Sequence, residues 1–310
     1  MKKKTFAKVL SLALAALMLF ALCACGAAET PAAEPTAVPA ADAPASESPA
    51  ETEAPAESQG VLDQIKADGV LYVTLSPDFA PMEFVDSSKD GQEQYVGFDV
   101  TLAKYIADYI GVDLVIEPMS FDACQTAVYT GSVPMSISGY SWTEERGENY
   151  EISDYYYAGD NETEQVILIK KTDADKYASA EDFSGVDVGA QNASLQMNLL
   201  TSQLPDANPI TIGDLGVGVL ELQNGSIEAL AVAKGNAEMI LDSNPDLMIC
   251  PWEFEVAAEY EANVILITKG ETALLNVVNE ALAKAYADGL YGTWYEDAVA
   301  LAKAEVSVED

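Results

Sequence analysis

From Val61 onward the chain alternates short apolar runs with stretches whose apolar residues recur every three or four positions. Residues 70–76 (VLYVTLS) are too short and too β-branched for a helix and read as a strand. Residues 97–111 (GFDVTLAKYIADYIG) set Phe98, Leu102, Ile106 and Tyr109 on one helical face. A strand at 112–118 (VDLVIEP), a helix at 121–131 stopped by Gly131, and a strand at 133–139 (VPMSISG) follow. The rhythm resumes at 164–171 (EQVILIKK) and continues through 186–191, 194–204, 216–225 and 228–233. Strands alternating with crossover helices predict an α/β fold with mostly parallel sheets, and there are enough units for two.

Before Val61 the pattern is different. A basic start (MKKKTFAK) leads into an apolar run of fourteen residues at 9–22, shorter than a spanning helix and of the length of a secretory signal. The run ends in LCAC at 22–25, which resembles the bacterial lipobox, where cleavage precedes a cysteine that receives a diacylglyceryl group. Residues 1–24 are therefore expected to be a signal peptide and Cys25 a lipid anchor; the alternative is cleavage at a small-residue site without lipid. Residues 25–60 form an Ala/Pro/Glu-rich tether, with seven acidic residues, six prolines and neither basic nor aromatic residues beyond Cys25. Such a segment cannot bury a core and is expected to be disordered, reaching between about 35 and about 110 Å depending on stiffness. The expected location is extracellular, on the outer face of the cytoplasmic membrane of a monoderm bacterium.

Composition narrows the chemistry. The 310 residues, 49% hydrophobic, suffice for one large domain or two ordinary ones. Loss of Lys2, Lys3, Lys4 and Lys8 with the leader turns a formal charge of −36 into −40, from 11 basic and 51 acidic residues. A surface of that sign repels nucleic acid and anionic lipid, so no nucleic-acid partner is expected. The absence of histidine removes Ser-His and Cys-His nucleophile pairs and His-ligated metal sites. No catalytic residue, metal or cofactor is expected. Cys124 and Cys250 read as buried thiols; their spacing does not decide whether they pair.

One cation is unusual: Arg146 is the single arginine beside fourteen lysines. Guanidinium offers a planar fork that meets a carboxylate with two parallel hydrogen bonds, which ammonium cannot. Arg146 is thus either a carboxylate reader or an ordinary surface charge. In α/β folds ligands bind beyond the carboxyl ends of strands. Two segments stand there, SGYSWTEER after the strand ending near Ile137 and GAQNASLQ after the strand ending near Ala190. Each carries a serine, Ser141 and Ser194, placed either to meet a small anion or to cap a helix.

These stretches, with SPDFAPMEF, GFDVTLAKYIA, SDYYYAG and ITKGETALLNVVNEALAKAYADGLYGTWYED, run in order along nearly all of the chain after Val61. Together they resemble the extracellular amino-acid-binding lipoproteins of ABC importers. The resemblance implies a two-lobed Venus-flytrap, each lobe a sheet flanked by helices, joined by two hinge strands, with lobe 1 at 61–159 plus 257–303 and lobe 2 at 160–256. It implies that Arg146 clamps a ligand α-carboxylate beside Ser141, that the Gly139 carbonyl accepts from the α-ammonium, that Ser194 donates from lobe 2, and that Phe79 covers the ligand side chain. Tyr140 and Trp142 either line the pocket or pack beneath it. The chain departs from the family pattern at Ala233, where an aspartate usually pairs with the α-ammonium, and Lys234 stands beside it, facing the cleft or solvent. Ser76 and Leu195 also depart, and together these changes argue against basic ligands. The implied function is capture of a neutral or acidic amino acid, as a monomer, for a permease and its ATPase; the alternatives are a ligand sensor read by a membrane receptor, or a cyclohexadienyl-dehydratase-like enzyme. Replacement of the expected anchor, Cys25→Ser, is predicted to move the protein from the membrane fraction to the medium, as read by fractionation and immunoblot.

Overall fold

A computed structural model describes residues 60–157, 164–260 and 262–306. The expected signal peptide, Cys25 and the tether before Gly60 lie outside these, as does the expected lobe boundary at 159–160. The described residues begin with α1 (Val61–Asp68) and β1 (Val70–Leu75), then form a small antiparallel sheet from β2 (Asp78–Phe79), β3 (Glu83–Val85) and β4 (Tyr95–Val96). The chain continues through α2 (Phe98–Ile110), β5 (Asp113–Pro118), α3 (Phe121–Tyr129), β6 (Met135–Ser141), α4 (Glu144–Asn149) and β7 (Glu151–Ile152). A second lobe holds β8 (Gln165–Lys170), β9 (Asp187–Gln191), α5 (Leu195–Gln203), β10 (Asn208–Ile212), α6 (Leu215–Asn224), β11 (Ala229–Ala233), α7 (Lys234–Ser243) and β12 (Leu247–Ile249). The chain returns to the first lobe with β13 (Asn263–Ile267), α8 (Thr272–Ala287) and α9 (Leu290–Val306).

The two large sheets share one plan, with orders β5-β1-β6-β13-β7 and β10-β9-β11-β8-β12. Three strands in each pair in parallel, and the last two pair antiparallel. The α/β class and the mostly parallel sheets are as expected: four strands of each sheet run the same way, and one, β13 or β8, runs against them. The reason is connectivity. β1, β5 and β6 are joined by α2 and α3, and a crossover helix returns the chain in the same direction. β8 and β13 arrive from the other sheet without such a crossover, and both run antiparallel to their neighbours.

Side-chain alternation explains how each sheet is covered. On β8, Ile167 and Ile169 belong to one buried cluster with Phe183, Val188 and Leu199, while Val166 and Leu168 join Leu222, Leu230 and Val232 on the other face. A strand buried on both faces reads as an unbroken apolar run, which is what 166–169 shows. In the first lobe Leu71, Val73 and Leu75 of β1 pack with Phe98, Leu102 and Ile106 of α2 and with Leu274 and Val278 of α8. Tyr109 departs from expectation: the buried stripe of α2 is centred nearer Asp99, Ala103 and Ala107, leaving Tyr109 40% exposed with its hydroxyl donating to Glu280 at 3.3 Å. Cys124 and Cys250 are buried free thiols.

Gly97 fixes the start of α2. Its φ of +119° is open to glycine, and an added Cβ would overlap the Met82 carbonyl. That close approach lets the Phe98 and Asp99 amides donate to the carbonyls of Pro81 and Met82 at 3.1 and 2.8 Å, so the β2–β3 turn caps the helix and Asp99 is driven into the core. Gly97→Ala is expected to cost about 3 kcal/mol or more in urea unfolding, because strain and overlap add. Gly111→Ala, at φ +88° with open space around it, should cost about 1 to 2 kcal/mol from strain alone.

Candidate functional site

The seam between the lobes is built from the ends of β6 and β9. All seven residues of β6 are buried, and the strand delivers Ser138, Gly139 and Ser141 to the seam. Thr143 then caps α4, its hydroxyl accepting from the Arg146 amide at 3.2 Å, and this tight turn folds the Arg146 side chain back toward the strand. Arg146 is only 5% exposed. Its guanidinium donates to the Ser141 carbonyl at 2.6 Å, to Gln125 Oε1 at 3.3 Å and, across the seam, to the Ala193 carbonyl at 2.9 Å. It also lies 5.1 Å from the Tyr140 ring centroid and 5.7 Å from that of Phe121. Aromatic faces and neutral oxygens together replace the water that a buried cation loses.

From the second lobe, β9 ends at Gln191 and the chain turns through Ala193, whose φ is +58°. That left-handed residue is unusual without a glycine, and it aims a carbonyl that accepts from both Arg146 and Gln125. Ser194 caps α5, its hydroxyl oxygen accepting from the Met197 amide at 3.1 Å. Other bonds cross the seam. Asp78 Oδ2 accepts from Gln191 Nε2 and from the Leu215 amide, both at 2.8 Å, Asn192 donates to Asp122 at 3.0 Å, and Asn236 donates to the Ala80 carbonyl at 3.3 Å. Phe79 packs against core clusters of both lobes.

These groups enclose a cavity of about 20 Å³, lined by Asp78, Phe79, Phe121, Ser138, Gly139 and Ser141 from one lobe and Gln191, Leu195 and Gln196 from the other. That is room for about one water. That is far less than a solute of amino-acid size fills, and the contacts that surround it across the seam include several polar ones. A larger groove of about 750 Å³ lies between α2 and β5 in the first lobe and shares no lining residue with this cavity.

Behind the cavity lies a pair of wholly buried carboxyls. Asp99 accepts from the Gly139 amide at 2.8 Å and from the Tyr156 hydroxyl at 3.0 Å, while Glu83 accepts from the Ser138 hydroxyl. Gly139, at φ +54°, is thereby held from behind. Burial, and for Glu83 also repulsion from Asp99, push both carboxyls up, Asp99 to about 7. Burial likewise raises Asp78 to about 6, partly countered by the Leu215 amide and the Ser76 hydroxyl.

The structure brings Phe79, Gly139 and Ser141 together at the cavity, with Arg146 bonded to Ser141 and Ser194 next to the lining residue Leu195. Of the two expectations for Ser194, the capping one is met, whereas in the other segment Thr143 and not Ser141 is the cap. Tyr140 is fully buried in the first lobe, its hydroxyl 2.8 Å from Ser136 Oγ and its ring tilted at 35° to that of Phe121, with centroids 4.9 Å apart. Trp142 packs partly buried against the same cluster. Neither lines the cavity. Lys234 is bonded to Glu164, also outside the lining, and Ala233 is fully buried. Sequence reasoning missed Asp78, Gln125 and Ala193 at the seam and Glu83 and Asp99 behind it. The available signal was acidic residues inside apolar stretches, as in SPDFAPMEF.

Residues 71–298 match the bacterial extracellular solute-binding proteins, family 3, and the chain belongs to that family. A probable histidine-binding protein of Campylobacter jejuni is 26% identical over 223 residues, 72% of this chain and 82% of the relative. The arginine-binding extracellular protein ArtP of Bacillus subtilis is 29% identical over 219 residues, 68% of this chain and 79% of its own. Among solved structures, an amino acid ABC transporter substrate-binding protein of Streptococcus pneumoniae bound to L-arginine superposes with a TM-score of 0.70 at 31% identity, over 77% of this chain and 98% of that one.

The buried carboxyls carry a pH dependence with a definite sign. A carboxyl whose pKa is raised by folding stabilises the folded state fully below its unfolded value, about 4, and loses that contribution as pH rises through the folded value. With Asp78 at about 6 and Asp99 at about 7, this falls between about pH 4 and pH 7. The melting temperature is expected to drop from pH 5 to pH 8, and to drop less in the double variant Glu83→Gln, Asp99→Asn. Equal slopes in the two proteins, measured by scanning calorimetry, would assign the effect to surface charge instead.

Proposed function

We propose that the protein is the amino-acid-capturing component of an ABC importer, held by a lipid on Cys25 outside the cytoplasmic membrane, which delivers its solute as a monomer to a permease and its ATPase. One observation carries this reading: a buried guanidinium stands at the seam of two lobes, bonded to the end of the strand that lines the enclosed cavity. When the lobes part, the solute carboxylate meets Arg146 as a paired fork beside Ser141. The Gly139 carbonyl accepts from the α-ammonium, and Phe79 covers the side chain. Ser194 contributes from the second lobe, so the bound solute joins the two lobes and shifts the population toward closure. The permease then distinguishes loaded from empty protein by shape.

Relatives that bind arginine and histidine support an amino acid as the solute class. Within that class, Ser76 and Ala233, both uncharged and buried, favour neutral or acidic side chains over basic ones. The extracellular location follows the leader pattern and the family.

The test is Arg146→Lys, which keeps the charge and loses the fork. Calorimetric titration with amino acids, at two salt concentrations, is expected to show an affinity lower by about tenfold to 150-fold. Because Arg146 is buried and also bonded to Ser141 and Gln125, the unliganded variant should melt lower as well. An affinity loss under about threefold at both salts would withdraw the carboxylate site.

A further inference from the structure

We infer that Asp78 receives a cationic nitrogen of the captured solute, so that tight binding requires a free ammonium or guanidinium as well as a carboxylate; this rests on the amino-acid reading above. Among the residues lining the cavity, Asp78 alone carries an ionisable side chain. An amino acid brings two opposite charges into a space from which water is excluded, and each needs a partner there. Arg146 stands on one side, bonded to the lining residue Ser141. On the other side neither Ala233 nor Lys234 supplies an anion, since Ala233 is apolar and Lys234 is already bonded to Glu164.

The carboxylate is built for the task. Oδ1 accepts from the Ser76 hydroxyl at 2.7 Å, and Oδ2 takes two donors from the second lobe. A carboxylate has about four acceptor positions, which leaves one on Oδ1. Its backbone is fixed by pairing of Asp78 with Phe84 in the small sheet, next to the Phe79 ring. Desolvation without a neighbouring cation is what raises its pKa to about 6, and a bound ammonium would reverse that rise. The competing role is a latch: the bonds to Gln191 and Leu215 hold the lobes together whatever the solute is.

The variant Asp78→Asn separates the two. It keeps the shape and the acceptor oxygen but not the charge, and its fold is checked by melting temperature. Affinities of the protein released into the medium by Cys25→Ser are measured by competition calorimetry for L-glutamine, L-arginine and their deaminated acids, glutaramate and 5-guanidinopentanoate. The expected result is a loss of about tenfold or more for L-glutamine, with less than about threefold change for glutaramate. Losses confined to L-arginine and 5-guanidinopentanoate also support the inference and assign the cation to the side chain. An equal loss for all four leaves Asp78 as a latch and overturns the inference, as does a change under about threefold for all. Binding of no amino acid by wild type would overturn the amino-acid reading and this inference with it.

Discussion

The molecule is organised around one buried cation. Taking a guanidinium out of water costs several kcal/mol unless its donors are met and its charge is faced by suitable groups. Arg146 meets that condition only because β6 ends where Ser141 presents a carbonyl, α3 brings Gln125, and the second lobe brings the Ala193 carbonyl. Two of these acceptors belong to the first lobe and one to the second. The cation is therefore held from both lobes, which ties the electrostatics of the site to the position of the lobes.

The acids around it are arranged in depth. Asp78 faces the cavity, while Asp99 and Glu83 lie behind, bonded to the Gly139 amide and the Ser138 hydroxyl. A carboxylate at the front can meet a solute, whereas carboxyls at the back hold backbone. Asp99 also accepts from Tyr156, whose amide donates to the Asn263 carbonyl on β13. The floor of the cavity is thus linked by hydrogen bonds to the strand on which the chain returns from the second lobe. Each lobe packs its own sheet, and the contacts between the lobes include the polar bonds of the seam and Phe79, which touches a cluster of each.

Parts of the site were legible for a simple reason. Arg146 stood out because it was the one guanidinium among lysines, and Ser141 and Gly139 because they followed a strand on one continuous segment. Their mutual geometry is set within eight residues, where covalent connectivity leaves little freedom. Asp78, Gln125 and Ala193 reach the same place from three other segments, and no local pattern brings them together. Ser194 was ambiguous in the sequence because a capping serine and an anion-binding serine occupy the same position at a helix start.

The sequence by itself determined the α/β class, the strand and helix positions in most of the folded part, and the apolar faces that build two cores, because periodicity of two or 3.6 is a property of a single segment. It did not determine that each sheet would carry two antiparallel pairings, since direction is chosen by the route between sheets. Nor did it determine the exposure of Tyr109, which depends on how α2 turns against its neighbours. Only the tertiary structure placed an aspartate from β2 against a helix start and a glutamine of the other lobe. Burial and long-range pairing create that group's charge environment, and neither exists until the chain has folded.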